Sequence, residues 1–172
     1  MAAIDNSEPY TGPGARPIFC YGTLMCPQVF QKVTRKRDMP HTEAAVLKGY
    51  CRRKVRGQAY PAIFTKESDE VHGLVVHVDA EDVALLDIFE SDDYERRTVE
   101  VQVPAMDGPV RTAQVDCYVW HGPLAMLAMA EEWSFEEFKR GHVGRWIDAV
   151  WSADGDEIVA RSAATTYLVQ LK

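Results

Sequence analysis

The chain has 172 residues, and its 19 Lys and Arg against 26 Asp and Glu give a formal net charge of −7. The 47% hydrophobic and 26% charged fractions are those of one globular domain, which excludes a mainly disordered chain, and the acidic balance argues against nucleic acid or an anionic membrane as the main partner. Because no apolar run approaches the ~20 residues of a membrane span, and the N-terminus lacks the basic start and apolar core of a signal peptide, we expect a cytoplasmic protein.

The first half of the chain predicts short strands and a helix. Residues 1–16 are rich in Gly, Pro and polar residues and are expected to form a flexible tail. A strand over 17–20 ends at a turn, and Pro27 then begins a helix to Val33, because the fixed φ of proline suits the first helical turn. Further strands are predicted over 44–55, 60–64 and 71–78.

The middle of the chain predicts a second helix and a β-hairpin. Asp79 is a good N-cap and predicts a helix over 80–90. Strict alternation of valine with polar residues over 97–103 predicts a half-buried strand, and Asp107–Gly108 is a hairpin turn signal before a return strand over 110–120.

The last third of the chain predicts helices over 124–132 and 134–150, with Ser134 as the N-cap of the second. The pattern beyond residue 150 indicates no clear element. Strands early, helices late and hairpin connections together predict an α+β fold with a mostly antiparallel sheet or barrel.

The cysteines and histidines do not indicate a metal site. No C-x-x-C pair is present, and the five histidines have no metal-ligand spacing. The neighbours of the cysteines are apolar, which favours buried reduced thiols over a reactive cysteine or a chance disulfide. The four cysteines are Cys20, Cys26, Cys51 and Cys117.

The turn Tyr21-Gly22-Thr23-Leu24 is the first candidate site. A turn between a strand and a helix can expose successive backbone N–H groups, and glycine lets a ligand approach closely. Such a turn can bind a carboxylate or hold a developing oxyanion, although it is more often a simple connection.

Glu90 is the second candidate, and it ends the predicted helix over 80–90. At about 100° per residue it lies on the margin of the apolar stripe, where a carboxylate is usually solvated. If it turns inward, desolvation raises its pKa and makes it a suitable general base near neutral pH. Tyr60, Tyr94 and Tyr118 can likewise place hydroxyls in a pocket or simply pack as core rings.

Segments spread over residues 19–147 together resemble the gamma-glutamylcyclotransferase-like superfamily, most closely its avirulence-induced-gene branch of plants and fungi. No single motif carries the resemblance, which lies in their order and spacing. The matching segments are Phe19-Cys20-Tyr21-Gly22-Thr23-Leu24-Met25, Gly49-Tyr50, Tyr60-Pro61-Ala62-Ile63, Val71-His72-Gly73, Leu86-Asp87-Ile88-Phe89-Glu90, Tyr94-Glu95-Arg96, Tyr118-Val119-Trp120 and Trp133 to Phe138.

The resemblance implies a small mixed, mostly antiparallel β-barrel flanked by helices, with a pocket at one end and no cofactor. In active members the free α-amine of a γ-glutamyl compound attacks its own γ-carbonyl, which yields 5-oxoproline and a released amine or peptide. By this resemblance Glu90 takes the proton from the α-ammonium and the turn over 21–24 holds the substrate through backbone amides. Tyr60, Pro61, Tyr94 and Tyr118 are then expected in the substrate pocket.

The resemblance also divides the chain and leaves alternatives open. It places the barrel over 17–122 and a helical extension packed on the barrel over 123–172, and it implies a small-molecule partner without indicating an oligomer. Ser91 and Asp93 stand where the family often has Gly and Glu, and these changes border the pocket. The same pocket and Glu90 can instead serve a cyclase, isomerase or lyase of a specialised metabolite, or belong to a non-enzymatic stress-related binding module.

Overall fold

The structure is a computed structural model and describes residues 16–150. The predicted tail, apart from Arg16, and the segment beyond 150 lie outside the described residues. The described strands and helices are β1 (Arg16–Cys20), α1 (Pro27–Thr34), β2 (Thr42–Val55), β3 (Pro61–Val78), α2 (Ala80–Glu90), β4 (Tyr94–Val103), β5 (Arg111–Trp120), β6 (Leu127–Ala128), α3 (Phe135–Gly141) and α4 (Val143–Val150). Short 3-10 turns lie at Thr23–Met25, Ser91–Asp93 and Leu124–Met126. None of the helices over residues 16–150 is long and apolar enough to cross a bilayer.

Five strands close into a barrel, which confirms the expected mixed, mostly antiparallel architecture. The strand order is β3-β1-β5-β4-β2, and the pairing of β2 with β3 closes the ring. The pair β1–β5 is parallel, whereas β1–β3, β2–β3, β2–β4 and β4–β5 are antiparallel. The short β6 adds to β2 outside the ring.

Two strands predicted over 60–64 and 71–78 are one continuous strand, β3. The polar residues between them obscure the alternation, but the hairpin ladder with β2 continues on both sides of them, where Lys48 pairs with Glu70 and Tyr50 pairs with Thr65. The register shifts beside Gly49, whose φ of 79° suits glycine and accommodates a bulge.

The prediction of a helix over 124–132 is wrong. The segment forms the 3-10 turn Leu124–Met126 and then β6. Backbone hydrogen bonds to β2 replace those of a helix, and the Arg56 N–H also donates to the Met126 carbonyl at 2.8 Å. Tertiary pairing has therefore overridden the local helical pattern.

The helix predicted over 134–150 is two helices, α3 and α4. His142 separates them with a φ of −125°, which lies outside the helical region. The predicted cap is confirmed, because the Ser134 hydroxyl accepts a hydrogen bond from the Glu137 N–H.

Alternate residues of the strands face two apolar cores. The barrel interior receives side chains from all five strands, and a second core lies between the outer wall of β1 and β3 and the helices. Phe19 points into the first core, whereas its neighbours Ile18 and Cys20 point into the second. The four cysteines are all buried and form no disulfide, which confirms the expected reduced thiols. Leu24 of the turn that follows β1 and Leu86 of α2 both belong to the second core.

Candidate functional site

Glu90 ends α2 and is half-buried beside the second core. Within the part of the chain that the structure describes, its carboxyl forms no hydrogen bond and no ion pair. Burial without a compensating partner raises its pKa from the ordinary value of 4.5 to about 8. A carboxyl of this kind holds a proton at neutral pH and exchanges it readily with a ligand of similar pKa.

Four tyrosines predicted for the site lie within reach of the charge of Glu90. Burial is the main cause that raises the pKa of Tyr21, Tyr60, Tyr94 and Tyr118, and the charge of Glu90 contributes at each of them. Their hydroxyls therefore stay protonated and act as hydrogen-bond donors. Tyr60 is half-buried, and its hydroxyl donates to none of the described residues. Its hydroxyl is available to a ligand.

The other three tyrosine hydroxyls are engaged within the protein. Tyr21 donates to the Tyr118 carbonyl at 2.7 Å, and Tyr94 donates to the Pro61 carbonyl at 2.8 Å. Tyr118 donates to the Asp87 carboxylate at 2.7 Å. All three hydroxyls are thus directed at protein acceptors.

The turn after β1 presents main-chain groups rather than side chains. Thr23 and Leu24 are buried, and the chain turns through bonds from Met25 N–H to the Gly22 carbonyl and from Cys26 N–H to the Thr23 carbonyl, both 3.0 Å. Among the described residues, the N–H groups of Gly22, Thr23 and Leu24 donate to no acceptor. These unpaired N–H groups are suited to an anionic ligand.

Pro61 explains why the turn requires glycine. A Cβ at position 22 would lie 2.9 Å from the Pro61 Cγ and 3.1 Å from its Cδ. The Pro61 carbonyl also accepts the hydrogen bond from Tyr94. Pro61 therefore packs closely against the turn and accepts a hydrogen bond from Tyr94, which links the two.

A network of ionic and polar groups fastens the last turn of α2 to the barrel. Arg96 on β4 donates from Nε to Asp87 at 2.9 Å and from Nη1 to Asp116 at 2.8 Å. Asp87 also accepts from Tyr118, and it lies one helical turn before Glu90. No spacing in the sequence indicates this network of Asp87, Arg96 and Asp116. The first two lie within the segments that carried the family resemblance, which is the signal that could have found them.

Ser91 follows Glu90 in a strained backbone conformation. Its φ of 58° and ψ of −170° belong to a region that is almost restricted to glycine. Ser91, which stands where the family often has glycine, therefore lies where the chain leaves α2 and turns into the next strand.

We expect Ser91→Gly to raise the free energy of unfolding by about 1 kcal/mol, since relief of ~1–3 kcal/mol of strain exceeds the entropy that glycine adds to the unfolded chain. Urea denaturation measures the change. Ser91→Ala is the matched control, because it removes the hydroxyl and keeps the strain, and it should bring no gain. A glycine variant less stable than the native protein would contradict the assignment of strain.

No described group of three or more His, Cys, Asp or Glu side chains is placed to hold a metal ion. Three groups described above can take part in binding or proton transfer: the Glu90 carboxyl, the turn amides and the Tyr60 hydroxyl. A proton acceptor and unpaired amide donors are the groups that an acyl-transfer reaction uses.

Comparisons with known proteins identify a family and a fold. The family model described as "Gamma-glutamyl cyclotransferase, AIG2-like" matches residues 18–135. Protein AIG2 C of Arabidopsis thaliana is 35% identical over 138 residues, which cover 79% of this chain and 79% of that protein. A solution structure from Arabidopsis thaliana has a TM-score of 0.58 at 30% identity, covering 79% of this chain and 88% of the other. The crystal structure of an AIG2-like protein from Mus musculus has a TM-score of 0.53 at 19% identity, covering 70% and 86% of the two chains, and supports the fold.

Proposed function

The chain belongs to the gamma-glutamyl cyclotransferase, AIG2-like family, and we propose that it releases 5-oxoproline from a γ-glutamyl amine or peptide without a cofactor. The observation that carries this proposal is the Glu90 carboxyl, which is half-buried, has no described partner and has a pKa of about 8. A carboxyl with these properties suits an α-ammonium better than an ordinary carboxyl does, because its pKa is raised toward that of an amine.

The proposed reaction is an intramolecular acyl transfer. Glu90 takes a proton from the substrate's α-ammonium, and the freed amine attacks the γ-carbonyl carbon of the same molecule. As the new C–N bond closes the five-membered ring, Glu90 passes this first proton to the amide nitrogen and the original amide C–N bond breaks. Glu90 then takes the second proton that the ring nitrogen loses, and this proton goes to the released amine, which departs as an ammonium ion. Because both reacting groups belong to one molecule, the site chiefly has to fold the substrate into attack geometry.

The turn amides are proposed to hold the negative charge of the substrate. The unpaired N–H groups of Gly22, Thr23 and Leu24 can bind its α-carboxylate or the oxyanion that forms at the γ-carbonyl. The Tyr60 hydroxyl supplies one further donor. The substrate is then enclosed by the rings of Tyr21, Tyr94 and Tyr118. These rings exclude water, which strengthens each of these hydrogen bonds.

A substrate panel tests the proposal. We expect the purified protein to form 5-oxoproline from γ-glutamyl-alanine or γ-glutamyl-butylamine, detected by mass spectrometry together with the released amine. The matched control is α-glutamyl-alanine, whose alanine is joined through the α-carboxyl and is not released by attack on the γ-carbon. Absence of 5-oxoproline from every γ-glutamyl compound would overturn the proposal. Ring closure or proton exchange on another class of metabolite would then favour the alternative cyclase, isomerase or lyase.

A further inference from the structure

Arg52 on β2 makes an unusual set of contacts at the back of the turn. Its Nη1 donates to the Tyr21 carbonyl at 2.8 Å, and its guanidinium lies over the Trp133 ring, 5.4 Å from the centroid. Its Nε is buried and has no hydrogen-bond partner among residues 16–150. Leaving a buried N–H unpaired has a free-energy cost of ~1–3 kcal/mol, so the side chain is held in this place by its other contacts.

We propose that Arg52 is a positioning residue that fixes and polarises the Gly22 amide through the Tyr21 carbonyl. This inference rests on the proposed function, because it assigns Arg52 to the binding of negative charge by the turn. Arg52 itself is not expected to touch the substrate.

The geometry of one peptide group carries the inference. The Tyr21 carbonyl and the Gly22 N–H belong to the same peptide unit, which is trans, so they point in opposite directions. A guanidinium that holds the oxygen on one side therefore fixes where the N–H points on the other. The Gly22 N–H donates to no described acceptor and is left available.

The charge of Arg52 adds to this orientation. Burial is the main cause that lowers the pKa of the guanidinium, but arginine remains protonated in proteins. A charge-assisted hydrogen bond is about twice as strong as a neutral one, and bonds in a chain polarise one another by perhaps 10–30%. The Gly22 N–H should thus be a stronger donor than an ordinary amide.

A polar cavity gives access to Arg52. Its volume is about 250 Å³, and Glu90 is not among its lining residues. Arg52 and Arg53 both line it. Arg53 donates from Nε to the Met129 carbonyl at 2.9 Å and from Nη1 to the Arg52 carbonyl at 2.7 Å. Neither of these bonds reaches the turn, so Arg53 is a control for the loss of an arginine at this cavity.

The experiment removes each arginine and adds guanidinium ion as a small replacement. We expect Arg52→Ala to lower kcat/KM for a γ-glutamyl substrate about 10–100-fold, somewhat less than the loss of a whole oxyanion donor, with millimolar guanidinium restoring part of it through the cavity. Arg53→Ala should stay within about twofold of the native protein and should not respond to guanidinium.

An amide resonance tests the inference without any activity. In ¹⁵N–¹H spectra, the Gly22 resonance should move in Arg52→Ala and should stay unmoved in Arg53→Ala. Arg52→Lys keeps a cation without the planar fork and should move the same resonance by a smaller amount. It is the variant to measure if Arg52→Ala does not fold. An unmoved Gly22 resonance in both Arg52 variants, or an equal loss of activity in Arg53→Ala, would overturn the assignment. A native protein inactive on all γ-glutamyl compounds would instead overturn the proposed function, while the Gly22 resonance would still report on Arg52.

Discussion

Glu90→Gln is expected to lower kcat/KM for a γ-glutamyl substrate by about 10²–10⁴-fold, the range typical of losing a general acid–base group. The amide has the shape of the carboxyl but cannot take the ammonium proton. Since Glu90 has no described hydrogen bond or ion pair to lose, the fold should persist and the effect should fall mainly on kcat. Steady-state kinetics with 5-oxoproline detection measures both constants.

The pH dependence identifies the group responsible. The base must be ionised, so kcat/KM of the native protein should rise about tenfold per pH unit and level near pH 8, where Glu90 titrates. This rise of kcat/KM with pH should be absent in Glu90→Gln, after correction for the titration of the substrate, which is measured separately. Glu81→Gln makes the same chemical change at the exposed start of α2 and should stay within about twofold of the native rate. Full activity in Glu90→Gln would remove the carboxyl from the mechanism.

The parts of the site that follow from local pattern could be predicted from the sequence. Asp79 caps α2 as predicted, and the capping box with Asp82 is present. The helical period then placed Glu90 at the edge of the apolar stripe, between solvent and core, and the structure finds it half-buried there. Short-range geometry sufficed for these features because each depends on neighbours within one or two helical turns.

The parts that depend on distant residues could not be predicted. Arg52 reaches the Tyr21 carbonyl 31 positions away, and Arg96 joins Asp87 to Asp116 across a strand pair. No spacing in the chain indicates such partners, because the closure of the barrel decides which strands become neighbours. The same cause explains the failed helix over 124–132, where β2 offered an unpaired edge that the local pattern does not reveal.

The stability of the fold should also depend on Glu90, and its sign follows from the raised pKa. Between pH 4.5 and about 8 the native protein keeps the Glu90 proton that the unfolded chain has released. Raising the pH through this interval therefore favours unfolding, by up to about 1.4 kcal/mol per pH unit and by on the order of 4 kcal/mol in total. The destabilisation that Glu90 causes is absent below pH 4.5 and complete above about pH 8.

Glu90→Gln should accordingly be more stable than the native protein at pH 8.5, by several kcal/mol, and equal to it at pH 4. Urea denaturation at a series of pH values measures the difference, and Glu81→Gln, which changes an exposed residue and keeps Glu90, is the matched control that should follow the native protein at every pH. A constant difference across pH would mean that Glu90 titrates alike in both states and is poorly suited to take an ammonium proton. A difference that grows with pH, together with the lost activity, would show that the same desolvation destabilises the fold and tunes the base.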